Sequence, residues 1–156
     1  MPIRARLSSR LIHRGAGRVA LDDMSDFLLA FASSLVAMAV IDGVWLGAVA
    51  RTFYRRHLGF LMADRPNWTA AIAFYLLYVL GVTIFAVLPG LDAGSVWDAA
   101  WRGAIFGLVA YATYDLTNAA TLRGWPSIVT VVDMAWGTVL TAAVASAAGF
   151  VVIQLV

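Results

Sequence analysis

Three acids in this chain stand where acids are costly. Asp42, Asp115 and Asp133 each lie inside a long apolar run, and an ionised carboxylate in such surroundings needs a partner, a wet cavity or a proton. Each has a companion three residues on: Trp45 after Asp42, Asn118 after Asp115, Trp136 after Asp133. Residues three apart share a helix face, so the three pairs are polar-aromatic faces able to converge on one site. The chemistry open to such a site is proton transfer by Asp115, with Asp42 and Asp133 as a paired acid. The same three acids are also candidate ligands of a hard cation such as Mg²⁺ or Mn²⁺. Tyr111, Tyr114, Trp45, Trp136 and Asn118 are the side chains available to line a substrate site.

Composition sets the surroundings. Of the 156 residues, 62% are hydrophobic and the mean hydropathy is +0.85, above what a soluble domain carries. There is no cysteine, which excludes disulfides, thiolate ligands and a cysteine nucleophile. His13 and His57 both lie outside the apolar runs, which argues against an intramembrane histidine site for zinc or haem. No nucleophile motif, phosphate-binding glycine loop, flavin or nucleotide signature appears. The net charge of +2 sits outside the apolar runs. It reads as orientation and contact with anionic lipid, with no nucleic-acid partner implied.

The elements that must position the acids are four helical spans, at about 27–50, 68–88, 97–120 and 127–152, each long enough to cross a ~30 Å core. Short loops make them antiparallel neighbours, an all-α integral membrane four-helix bundle. Residues 1–23 carry Arg4, Arg6, Arg10, Arg14 and Arg18 and read as a disordered or non-native basic extension, with residues 24–156 as the domain. Arg51, Arg55 and Arg56 follow the first span among aromatic residues, as suits a headgroup zone and a lipid phosphate. Tyr75 and Tyr78 share a face of the uncharged second span. Pro89-Gly90-Leu91-Asp92-Ala93-Gly94 reads as a loop. Gly43-x-x-x-Gly47, Gly103-x-x-x-Gly107 and Ala145-x-x-x-Gly149 are candidates for close helix approach.

Arginines in the first and third loops place those loops in the cytoplasm and both ends of the 24–156 unit outside. All three acids then lie roughly 8–12 Å inside the same face, at 1.5 Å per helical residue. The bland explanation for any one acid is a register-setting hydrogen bond worth about 1 kcal/mol. Three at one depth favour a site.

Ile41 to Gly47, Tyr114 to Pro126 and Asp133 to Gly137, in that order and spacing, resemble an uncharacterised bacterial membrane family, domain of unknown function 2177. The resemblance covers about Met24 to Val152 and implies a compact four-span inner-membrane protein. It implies no activity. It also favours Met24 as the start, since the basic extension has no counterpart in it. The expectation is therefore a multi-pass protein of the bacterial inner membrane with an intramembrane carboxylate site that binds or acts on a lipid or apolar small molecule. The alternatives are a proton- or cation-coupled transporter working as a homo-oligomer, and a structural subunit whose acids lock packing.

Overall fold

The computed structural model describes the backbone of residues 3–155 and the side chains of residues 23–155; the arginines of the basic extension lie outside the described side chains. The described chain is all α. Its elements are α1 (Ile3–Trp45), a π-helical turn (Leu46–Ala50), α2 (Arg51–Leu58), α3 (Trp68–Val82), a second π turn (Thr83–Val87), α4 (Leu88–Asp92), α5 (Val96–Thr121) and α6 (Ser127–Leu155).

Both π turns are continuous with their neighbours, so α1 and α2 form one rod and α3 and α4 another. An i→i+5 turn holds one residue more than an α turn, which rotates everything after it. The face carrying Asp42 and Trp45 therefore continues through buried Ala50 to Tyr54, while Val49 is exposed. Arg51, Thr52, Arg55 and Arg56 are turned to the opposite, exposed side. The second π turn ends just before Pro89. A regular turn there would press the proline ring against the carbonyl of Phe85, and the wider turn relieves this. The helix consequently runs on to Asp92, where the sequence suggests a loop from Pro89 onward.

Local signals start the later helices. Asn67 caps α3 by accepting from the Ala70 amide at 3.1 Å, and Ser95 caps α5 by accepting from the Asp98 amide at 3.2 Å. Gly94, with φ +60°, makes the tight turn between α4 and α5 that a residue with a Cβ rarely adopts.

Three described helical stretches are long and apolar enough to cross a membrane: Asp23–Leu58, Trp68–Asp92 and Ser127–Leu155. The fourth expected span, α5, has the length, 26 residues. It is not apolar enough to join them, because Asp98, Trp101 and Arg102 lie in its first two turns and Tyr111, Thr113, Tyr114, Asp115, Thr117 and Asn118 crowd into two later ones.

What holds α5 in place is its seam with α6. Gly149 faces Ala99, Gly103 faces Ala145 and Thr141, Gly107 faces Thr141 and Gly137, and Gly137 faces Tyr111. The seam steps four residues down α5 for every four up α6, as antiparallel packing demands. A Cβ on Gly103 would lie 2.7 Å from the Thr141 carbonyl oxygen and 2.8 Å from the Ala145 Cβ, so backbone meets backbone there. Gly43 and Gly47 differ: nothing lies within 4 Å of a Cβ on either. Their spacing makes no helix contact.

Gly107→Ala should therefore force the α5–α6 seam apart and cost about 2 kcal/mol or more, whereas Gly43→Ala should stay within about 1 kcal/mol of the parent. Reversible unfolding in mixed micelles measures both; equal costs would show that the seam is not closely packed.

Candidate functional site

The seam delivers two of the three acids. One step beyond Tyr111 and Gly137, the same four-residue stride reaches Asp115 on α5 and Asp133 on α6. Asp115 is fully buried, has Asp133 as its charged neighbour, and neither of its carboxylate oxygens has a hydrogen-bond partner. Two neighbouring carboxyls away from water repel if both are ionised, so a proton on one or a cation beside them stabilises the pair.

Asp133 is better supplied. The rotated α2 brings Tyr54 against it, and the Tyr54 hydroxyl donates to Oδ1. The Trp45 indole lies beside the same phenol. Asp42 is the most fully satisfied of the three. Tyr75 of α3 donates to its Oδ2, and Trp136 Nε1 of α6 donates to Oδ1 at 3.3 Å. The Trp136 ring also stacks on Trp45, with centroids 4.3 Å apart at 12°. Asp42 thus ties α1, α3 and α6 together, which is the register-setting role.

Two cavities adjoin this network. One, of about 320 Å³, is lined by Phe74, Tyr78, Ala110, Tyr111, Tyr114 and Asp133. The other, of about 240 Å³, has Asp42, Trp45, Tyr54 and Trp136 in its wall. Phe74 and Tyr111 line both, so the acid-bearing spaces are neighbours divided by two rings. Tyr78 is anchored by a 2.6 Å hydrogen bond with Thr141 Oγ1 on the seam.

Several sequence expectations are redrawn by this geometry. No three His, Cys, Asp or Glu among the described residues group closely enough to hold a metal ion, so Asp42, Asp115 and Asp133 do not form one cation site. The reason is that Asp42 is turned toward Tyr75 and Trp136, away from the Asp115–Asp133 step. Asn118 does not serve Asp115; its side chain reaches the phenol of Tyr114, one turn back on α5. Arg51, Arg55 and Arg56 do converge, with Thr52, on a pocket of about 330 Å³, but on the outer side of α2. They are not part of the acid cavities.

Tyr54, Phe74, Tyr75 and Tyr78 join the site although sequence reasoning did not assign them to it. For Tyr75 and Tyr78 the signal was their shared face on an uncharged helix. For Tyr54 there was none, because its orientation depends on the π turn.

The sequence model of a family described as predicted membrane protein, domain of unknown function 2177, matches residues 27–151. No curated protein and no solved structure matches the chain.

Removing the Tyr75 hydroxyl strands a buried acceptor, so Tyr75→Phe should cost about 0.6–1.7 kcal/mol. Asp115→Asn keeps the shape and removes a charge facing Asp133; it should be neutral or stabilise by about 1 kcal/mol. Micellar unfolding of the two variants checks the contrast, and a larger loss for Asp115→Asn than for Tyr75→Phe would assign the carboxylate a packing role.

Proposed function

The chain belongs to that family of predicted membrane proteins, and from this premise we propose that it is a bacterial inner-membrane protein that binds a lipid chain or another apolar small molecule between α3, α5 and α6. One observation carries this: a space of about 320 Å³ walled by four aromatic rings, with Asp133 among them. Ligand sites run from about 300 to 1,000 Å³ and combine apolar walls with a few polar groups that orient the guest. The bilayer is the partner of the outer surface, where Leu77, Phe85 and Trp97 stand exposed. The outer pocket of Arg51, Thr52, Arg55 and Arg56 suits a lipid phosphate, which guanidinium groups bind through paired charge-assisted hydrogen bonds. It serves a headgroup separate from whatever occupies the aromatic cavity.

A second reading has its own observation. Asp115 is buried with both oxygens unpartnered, the condition expected of a carboxyl that loads and unloads a proton or cation. A coupled transporter of this size is expected to work as a homo-oligomer, since four helices seldom enclose a path. Under that reading Asp115→Asn abolishes proton-driven uptake in proteoliposomes while leaving ligand binding in place; uptake retained in the variant removes Asp115 from the coupling step.

Filling the cavity tests the primary proposal. Ala110→Phe adds a ring to its wall and should abolish binding of neopentylbenzene, read by calorimetry in micelles, with helical content by circular dichroism unchanged. Binding that persists in a folded Ala110→Phe protein would place the apolar site elsewhere.

A further inference from the structure

The aromatic cavity has an acid in its wall and no basic side chain opposite it among the described residues. Asp133 lines it, and Asp115 stands on the same step of the seam with no donor on either oxygen. The charged neighbour of Asp115 is Asp133, and the polar neighbour of Asp133 is Tyr54. Among the described residues, no arginine or histidine lines the cavity. The described cluster of cations, Arg51, Arg55 and Arg56, lines a separate pocket on the exposed side of α2.

The remaining walls narrow the class of guest. Phe74 and Tyr78 lie 5.3 Å apart between centroids, and Tyr78 and Tyr111 meet edge to face at 6.3 Å. Tyr114, 58% exposed, stands at the rim. Ring faces attract a positive charge through their quadrupole, most of all a weakly hydrated one spread over alkyl groups. A bare divalent ion needs six or more oxygen ligands, and no such grouping of donors is present among the described residues. An anion would face the carboxyl of Asp133, with Asp115 beside it on the seam. A neutral guest would leave the balancing of the pair to a proton alone.

We propose that the ligand of this cavity is a hydrophobic organic cation, a tertiary or quaternary ammonium on an apolar body, with Asp133 as its counter-ion and Phe74, Tyr78, Tyr111 and Tyr114 as its cage. This rests on the reading that the cavity is a ligand site and adds the chemistry that selects the guest. The cavity volume of about 320 Å³ suits one aromatic ring with a substituted ammonium.

Benzyltrimethylammonium and neopentylbenzene are the same shape, with nitrogen in one where the other has carbon, so they isolate the charge. The full chain in micelles is titrated calorimetrically with each, and partition into protein-free micelles is subtracted. The cation should bind about tenfold more tightly than its neutral counterpart. Asp133→Asn, which keeps an oxygen for the Tyr54 hydroxyl, should abolish that preference. Tyr114→Leu should lower affinity for the cation and leave that for neopentylbenzene within about twofold, a test that stands even if Asp133→Asn does not fold. Equal binding of the two probes, or a preference that survives Asp133→Asn, overturns the cation assignment while the apolar site stands. Binding by neither probe overturns both.

Discussion

The arrangement depends most on the close antiparallel seam between α5 and α6. Small residues at four-residue intervals let the two backbones touch, and that contact leaves little freedom in the relative rotation or sliding of the helices. Because the stride is fixed, the end of the seam is fixed too: Asp115 must face Asp133. A pair of carboxyls buried against each other is unfavourable unless a proton or a cation joins them. The packing therefore creates the requirement that any function must answer.

The three acids, alike in the sequence, have different surroundings. Asp42 takes hydrogen bonds from Tyr75 and Trp136 and behaves as a clamp between helices. Asp133 shares itself between Tyr54 and a cavity. Asp115 has neither a hydrogen-bond partner nor a share of the cavity wall. Packing contacts are thus divided unequally among neighbouring residues, since a carboxylate with both oxygens occupied has little left to offer another group.

Aromatic side chains do the dividing. Phenols and indoles satisfy Asp42 and Asp133 without bringing in a positive charge, so the interior keeps its negative character. An arginine in the same role would have brought a positive charge beside the acid. Arg51, Arg55 and Arg56 instead lie on the outer side of α2.

The sequence by itself determined the membrane character, the helical class, the family and the three acids of interest. Apolar runs of bilayer length and the cost of a carboxylate within them are local properties, readable one segment at a time. The seam was half legible: Gly103, Gly107, Ala145 and Gly149 mark it, but Gly43 and Gly47 have the same spacing and touch nothing. Small size permits close approach without requiring it. Only tertiary structure decided which acids meet, because that depends on helix rotation, and the π turns change rotation without altering the hydrophobic pattern. Leu46–Ala50 swings Tyr54 onto Asp133 and Arg51, Arg55 and Arg56 away from it. The pairing of α5 with α6 then sets Asp115 against Asp133 and leaves Asp42 to other partners, since a register between two helices is a property of neither alone.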